Sequence, residues 1–133
     1  MVVYDTYAWV EYFRGTKRGL LVRQLLREGG YTPSIVLAEI ARKYIREGVS
    51  LDEVMKRLLF IEAKTSIVSI DVELAIKSAR IFLELYKIAR KYKLRTPSLA
   101  DAIVYATAQI LGDKLVTGDR LFKNLPDVIY IGD

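Results

Sequence analysis

The sequence predicts an α/β protein in which helices cover both faces of a parallel sheet. Short apolar segments alternate along the chain with longer segments whose apolar residues recur every three or four positions. The short segments are apolar throughout, as expected of strands that are buried on both faces. The 133 residues, 52% of them hydrophobic, suffice for one core but not for two. We therefore expect residues 1–133 to form a single domain.

The first half of the chain predicts two strands and four helices. Gly29 and Gly30 stop the second helix, and Gly48 stops the third. Ser34 is the predicted N-cap of the third helix, and Ser50 begins the fourth through a capping box with Glu53. The predicted elements, in order, are a strand at 1–4, helices at 6–13 and 17–28, a strand at 31–32, a helix at 35–47 and a helix that ends at 60.

The second half predicts three strands with helices between them. A β-branched run forms the third strand, and Asp71 caps the long helix that follows it. Ser98, after Thr96-Pro97, begins the next helix, and Gly112 ends it. The predicted elements are a strand at 65–70, a helix to about residue 92, a helix at 99–111, a strand at 115–117, a short helix after Asp119 and a strand at 128–131.

The composition excludes several classes of chemistry. Without cysteine the chain has no disulfide, zinc-thiolate site or thiol nucleophile. Without histidine it has no Ser-His triad, no HExxH zinc site and no imidazole base. An enzyme built from this chain must rely on carboxylates, hydroxyls, lysine and metal ions bound by oxygen.

Charge and hydropathy bound the partners and the location. The net charge of +5 and the pI of about 9.4 favour a polyanionic partner. The N-terminal segment carries Asp5 and Glu11 within its apolar stretch, so it does not resemble a secretory signal. No apolar run approaches the length of a membrane span. We expect the protein to reside in the cytoplasm.

Four acidic residues are predicted to meet at one edge of the sheet. Asp5 ends the first strand, Asp119 lies just beyond the fourth, and Glu39 sits early in the helix after the second. Asp101 occupies the first turn of the helix that leads into the fourth strand, and a right-handed crossover brings that turn to the same edge. Ligands bind at the carboxyl edge of a doubly wound sheet. We therefore expect the four carboxylates to converge.

Each acid also has a structural alternative. Asp101 is nevertheless the only charged residue between Ser98 and Gly112, where burial among apolar neighbours disfavours an unpaired carboxylate and indicates a cation. The alternatives are helix caps for Asp5 and Asp119, a capping arrangement with Ser98 for Asp101, and an ion pair with Arg42 or Lys43 for Glu39.

Mutual repulsion indicates what the acids require. Two carboxylates about 5 Å apart repel by roughly 3 kcal/mol at an effective dielectric constant of about 20, and four carboxylates form six pairs. A domain's net stability is only about 5–15 kcal/mol. The cluster must therefore hold protons or bind a divalent ion, and ligation by oxygen alone favours Mg²⁺ or Mn²⁺.

Four sequence segments carry a resemblance to a known family. In their order and spacing they resemble the PIN-domain ribonucleases, most closely the VapC-type toxins of toxin-antitoxin pairs, from Val2 to Ile131. The segments are Val3-Tyr4-Asp5-Thr6, Pro33-Ser34 leading to Ala38-Glu39, Leu99-Ala100-Asp101-Ala102-Ile103, and Leu115-Val116-Thr117-Gly118-Asp119.

The resemblance implies a fold, a site and partners. It implies a three-layer α/β/α sandwich with a five-stranded parallel sheet, and a Mg²⁺- or Mn²⁺-dependent endoribonuclease that leaves 5′-phosphate and 3′-hydroxyl ends. It further implies a homodimer, and a VapB-type antitoxin as partner. Tyr7 stands where many relatives carry Ser or Asn, and Leu121 where they carry a further Asp. The implied site comprises Asp5, Glu39, Asp101 and Asp119 as metal ligands and Thr117 as a supporting hydroxyl.

Basic residues form two candidate RNA-binding runs, for which a solvated helix face is the alternative. The first follows the first helix and the second follows the long helix, where Lys87, Arg90 and Tyr92 accompany it. Trp9, with Tyr7, Tyr12 and Phe13, is predicted to lie in the core or an interface. The candidate RNA-binding residues are Arg14, Lys17, Arg18, Lys91, Lys93 and Arg95.

Three alternative functions compete with that of a toxin ribonuclease. A phosphoacceptor receiver domain using Asp71 and Thr117 would need a second acid beside Asp5 and a lysine after the last strand, and neither is present. A phosphatase with an aspartyl nucleophile would need an Asp where Tyr7 stands. The stronger alternative is a PIN-like RNA-processing or catalytically silent RNA-binding component that is not a toxin.

Overall fold

The computed structural model describes residues 1–133 as a five-stranded parallel sheet flanked by six helices. The predicted α/β/α architecture is confirmed. None of the helices combines the length and apolar character that crossing a bilayer requires. The strands are β1 (Val2–Tyr4), β2 (Tyr31–Pro33), β3 (Ser66–Val68), β4 (Lys114–Thr117) and β5 (Val128–Tyr130), and the helices are α1 (Thr6–Arg14), α2 (Lys17–Leu25), α3 (Ser34–Arg46), α4 (Leu51–Lys64), α5 (Val72–Lys91) and α6 (Leu99–Leu111).

The strand order β3-β2-β1-β4-β5 places the topological switch between β1 and β4. Val3 is in register with Tyr31 of β2 on one side, and Tyr4 with Val116 of β4 on the other. Because all strands are parallel, the residues that follow β1 and β4 emerge side by side at the carboxyl edge. Asp5 and Asp119 are such residues.

Most helix termini follow the predicted capping residues. The side chain of Asp71 accepts a hydrogen bond from the Leu74 N–H, and Ser50 accepts one from the Glu53 N–H. The prediction of Ser34 as an N-cap is wrong, because Ser34 is already helical and the extended residue Pro33 occupies the cap position without a side-chain hydrogen bond.

Several predicted boundaries also change. The helix predicted over 17–28 ends at Leu25, and its last turn, Leu26–Glu28, is a 3₁₀ helix. Helix α4 continues beyond residue 60 because Ile61 extends its buried face. Strand β3 is shorter than predicted, since only Ser66–Val68 pair with β2. The short helix after Asp119 is a 3₁₀ turn over Arg120–Phe122.

The core is centred on Trp9, which is fully buried as predicted. Its indole Nε1 donates to the Thr32 hydroxyl at 3.1 Å, and its ring packs against Tyr4 and Phe13. Thr32 in turn shares a 2.7 Å hydrogen bond with Thr65. This buried polar chain links α1 to β2 and fixes the helix that starts at Asp5.

Helices α1 and α2 pack closely at Gly19. A Cβ atom on Gly19 would overlap the backbone carbonyl of Glu11, which cannot move without shifting α1. We expect Gly19→Ala to destabilise the protein by about 2–3 kcal/mol, measured by urea unfolding. Leu20→Ala, at the neighbouring exposed position, is the control and should change stability by less than about 1 kcal/mol. Equal stability of the two variants would contradict the close packing.

Candidate active site

Asp5 lies at the point where β1 becomes α1. Its Oδ1 accepts a 2.8 Å hydrogen bond from the Ala8 N–H, so Asp5 is the N-cap of α1 as well as a candidate site residue. The side chain is buried and forms no ion pair. Burial raises the pKa of Asp5 to about 7, and the charges of Asp119 and Glu39 also raise it, against hydrogen bonds from Thr117 and Ala8.

Glu39 approaches the same position from α3. The Thr6 hydroxyl donates to its Oε1 at 2.7 Å, which ties α3 to the first turn of α1. Burial raises the pKa of Glu39, and the nearby charge of Asp101 raises it further. The alternative ion pair with Arg42 or Lys43 is wrong, because Glu39 forms no ion pair and Lys43 binds Glu47 at 2.6 Å, one helical turn away.

Asp101 and Asp119 have the capping roles that the sequence predicts for them. Asp101 completes a capping box at the start of α6, where its Oδ2 accepts hydrogen bonds from the N–H and the hydroxyl of Ser98. Asp119 follows β4, and its Oδ1 accepts from the Leu121 N–H at 2.9 Å. The buried hydroxyl of Thr117 accepts from the Asp119 N–H at 3.0 Å. Thr117 therefore supports both Asp119 and Asp5.

Arg95 bridges Asp101 and Asp119. Its two terminal nitrogens contact the two oxygens of Asp101 at 2.9 and 2.8 Å. Its Nε donates to Oδ2 of Asp119 at 3.1 Å, and Nη2 contacts the same oxygen. Hydrogen bonding to Asp101 raises the pKa of Arg95 above its ordinary value, so the guanidinium stays charged. The sequence predicts a cation beside Asp101, and in this arrangement Arg95 is that cation.

The four predicted acids share one pocket of about 220 Å³. The sequence-based prediction that they converge is therefore in agreement with the geometry. No three acidic side chains are placed to hold a metal ion together, however, so the predicted four-carboxylate metal site is not assembled in this arrangement. The residues that line the pocket are Asp5, Thr6, Tyr7, Glu39, Arg95, Asp101, Val104, Asp119 and Phe122.

The donor set nevertheless fits a hard divalent cation. Every polar ligand that the chain offers here is an oxygen, from four carboxylates and the hydroxyls of Thr6 and Thr117. Asp5 is a buried carboxylate without a cationic partner, which is the environment that a bound cation stabilises. In this arrangement Arg95 contacts oxygens of Asp101 and Asp119 that such a cation would bind.

The sequence failed to indicate two contributors. The sequence places Arg95 in the basic run after α5, whereas the structure places its guanidinium in the acidic pocket. Thr6 belongs to the first motif, and the sequence does not indicate that its hydroxyl donates to Glu39. Of the other predicted RNA-binding residues, Arg18 pairs with Asp133, and four are exposed, namely Arg14, Lys17, Lys91 and Lys93.

The chain is an α/β protein with a doubly wound parallel sheet, and four acids meet at the switch point of that sheet, where such proteins bind ligands. The PIN domain model matches residues 2–128, so the chain belongs to the PIN domain family, as its sequence motifs predict. A comparison with curated proteins finds no match.

Solved structures of toxin-antitoxin proteins share this fold. A toxin-antitoxin complex from Klebsiella pneumoniae is 20% identical, with a TM-score of 0.70 over 100% of this chain and 99% of that chain. The DNA-bound VapBC of Salmonella typhimurium is 21% identical, with a TM-score of 0.69 over 98% and 97%. A Mycobacterium tuberculosis VapC, described as a Sarcin-Ricin loop cleaving toxin, is 14% identical, with a TM-score of 0.54 over 86% and 87%.

Proposed function

We propose that this protein is a divalent-metal-dependent endoribonuclease that hydrolyses phosphodiester bonds in RNA. The observation that carries the proposal is the convergence of Asp5, Glu39, Asp101 and Asp119 on one pocket at the switch point of the sheet. Divalent metal ions are the cofactors that PIN-domain nucleases generally use. Mg²⁺ and Mn²⁺ suit a site whose donors are all oxygen atoms.

The residues of the pocket have different proposed roles. Asp5 and Glu39, neither of which forms an ion pair, would hold the metal ion, and Asp101 and Asp119 would join them on release from Arg95. Thr6 orients Glu39, and Thr117 orients Asp119. The chemistry that such an ion supplies in phosphodiester cleavage is activation of water and stabilisation of the developing negative charge.

Basic groups near the acidic pocket support an RNA substrate. The exposed lysines Lys91 and Lys93 lie at the end of α5, just before the loop that carries Arg95. A second hollow, of about 720 Å³, is lined by Arg120, which follows Asp119, by Lys123 and by Tyr92. Cationic groups bind the phosphate backbone and aromatic rings stack on bases, so this surface suits single-stranded RNA.

We further propose that the protein is the toxin of a VapBC-type pair. The shared fold with VapBC complexes and with an RNA-cleaving VapC supports a VapB-type antitoxin as partner. We expect expression of this protein to arrest growth, and co-expression of a protein encoded next to it to relieve the arrest. Growth without arrest contradicts the toxin role.

We also propose that the protein forms a homodimer. The exposed apolar residues Val72, Ile76 and Leu83 of α5 offer a surface for it.

The second candidate is a PIN-like RNA-processing or catalytically silent RNA-binding component. The observation that favours it is Arg95, which occupies two of the four carboxylates and leaves no three acids placed to hold a metal ion. RNA binding without metal-dependent cleavage, together with normal growth on expression, would establish this alternative.

RNA cleavage in defined metal conditions tests the nuclease proposal. We expect the purified protein to cleave RNA with Mg²⁺ or Mn²⁺ and to lose that activity when EDTA removes the ion. Single-stranded and structured RNAs, resolved on denaturing gels, define the substrate class. The ends of the products should carry 5′-phosphate groups.

A control variant outside the pocket shows whether loss of cleavage is specific to the acids of the site. Glu62→Gln removes an exposed acid from α4, outside the pocket, and should leave cleavage unchanged. Cleavage that persists in EDTA would contradict metal dependence, and no cleavage of any RNA with either ion would contradict the nuclease proposal.

A further inference from the structure

Arg95 contacts two of the carboxylates that a metal-dependent nuclease would use to bind its metal ion. Its guanidinium contacts both oxygens of Asp101 and one oxygen of Asp119. The two acids come from different parts of the chain, one from the first turn of α6 and the other from the end of β4. A single side chain therefore neutralises half of the predicted metal ligands.

The fork of the guanidinium explains why this residue is an arginine. Two nitrogens bind Asp101 side by side, while Nε and the shared Nη2 face Asp119. Five N–H donors in one plane allow a bidentate contact and a second contact at once, which a lysine ammonium cannot reproduce. The contact is therefore specific rather than a chance approach of opposite charges.

The backbone of the loop that carries Arg95 is held by hydrogen bonds and packing, while the Arg95 side chain is partly exposed to solvent. Lys93 adopts a positive φ of 54°, and the Leu94 N–H donates to the Ala89 carbonyl at 2.8 Å, which closes the end of α5. Pro97, farther along the loop, is buried. The Arg95 side chain is 46% exposed, so it can swing into solvent without disturbing the core.

The acids' remaining contacts do not prevent an exchange of cations. Asp101 keeps its two hydrogen bonds from Ser98, and Asp119 keeps the one from the Leu121 N–H, when Arg95 departs. Both carboxylates thus remain oriented by backbone and hydroxyl donors. The oxygens that Arg95 releases face the pocket that Asp5 and Glu39 also line.

We propose that Arg95 is an internal competitor of the divalent ion, a positioning residue that holds Asp101 and Asp119 until metal displaces it. This inference rests on the proposed function, because it assumes that the pocket binds metal. A cation already present in a site lowers the apparent affinity for another cation that requires the same oxygens. Removal of Arg95 should therefore tighten metal binding, although the residue itself contacts no metal.

Calorimetric titration of Mn²⁺ into the metal-free full chain tests the proposal. We expect Arg95→Met to lower the Kd for Mn²⁺ by about tenfold or more relative to the unmodified protein. Arg90→Met is the matched control, because it removes the same charge from an exposed arginine that stacks on Tyr86 outside the pocket. It should change the Kd by no more than about twofold. Equal or weaker Mn²⁺ binding by Arg95→Met would overturn the proposal.

A second measurement uses the unmodified protein, in case Arg95→Met does not fold. The Nε–H resonance of Arg95 in ¹⁵N-labelled protein, assigned from its loss in Arg95→Lys, reports the contact with Asp119. Saturation with Mg²⁺ should shift or broaden this resonance while that of Arg90 stays in place. An unchanged Arg95 resonance at saturation would overturn the proposal.

The outcomes separate this inference from the nuclease proposal. If the unmodified protein cleaves RNA with Mg²⁺ but Arg95→Met binds Mn²⁺ no more tightly, the function stands and the competition fails. If none of the proteins binds Mn²⁺ or cleaves RNA, both proposals fail.

Discussion

Asp5→Asn is expected to stabilise the metal-free protein by up to about 4 kcal/mol at about pH 8, although it removes a predicted metal ligand. The reason is the burial of a carboxylate that has no cationic partner, which raises the pKa of Asp5 from 3.8 to about 7. Asparagine keeps an oxygen that can accept from the Ala8 N–H at the N-cap of α1, and it carries no charge to desolvate.

The pH dependence of this effect has a definite sign. Below about pH 4 both the folded and the unfolded protein hold the Asp5 proton, so the difference in stability between the two variants should not change with pH. Between about pH 4 and pH 7 only the unfolded state releases the proton, and the unmodified protein loses stability as the pH rises. Above about pH 7 the whole penalty is present. The stability gained by Asp5→Asn should therefore grow across that window.

Urea unfolding in EDTA across this pH range measures the difference. A constant difference between the variants, or a larger one at low pH, would contradict the perturbed pKa of Asp5. Asp71→Asn is the control, because Asp71 caps α5 in the same way but lies at an exposed position. This variant measures how the loss of an N-cap carboxylate at an exposed position changes stability.

Asp101→Asn is expected to reduce Mg²⁺-dependent RNA cleavage by about 10³-fold or more. The substitution preserves shape and an oxygen for the Ser98 cap, but it removes one of the negative charges that a metal ion would balance. It also removes the main partner of Arg95. The rate of cleavage of a labelled RNA at saturating Mg²⁺ is the measurement, and Glu62→Gln should match the unmodified protein.

Stability and activity together distinguish a functional acid from a structural one. If Asp101→Asn lost cleavage only because it unfolded, its circular dichroism and urea midpoint would change as well. Asp5→Asn distinguishes the two roles more clearly. The metal-free variant should be more stable than the unmodified protein, while its rate of RNA cleavage should fall by about as much as that of Asp101→Asn. Cleavage at the unmodified rate in either variant would contradict the proposed site.

The expected gain in stability in Asp5→Asn has a simple physical reason. A pocket arranged for a cation is unfavourable without it, because its carboxylates repel one another and lose hydration. Protonation relieves that cost at Asp5, and Arg95 relieves it at Asp101 and Asp119. Two separate effects therefore offset the cost of the acidic pocket.

The sequence by itself determined the fold class, the strand and helix order, and the meeting of four acids at one edge. Hydrophobic periodicity and local capping signals are properties of neighbouring residues, so they predicted elements such as α6, with its Ser98 cap and its end before Gly112. The PIN domain family is predicted by short motifs, each of which spans only a few consecutive residues.

Only the tertiary structure decided which of the acids form an ion pair, and with which residue. The ends of helices shifted where packing prevailed over local signals, as in α4, where Ile61 is buried beyond the predicted end. In the sequence Arg95 is one more residue of a basic run, because no local pattern links it to Asp101, six positions away, or to Asp119, 24 positions away. Contacts of that separation depend on how strands and helices are placed in space, and a one-dimensional pattern does not encode them.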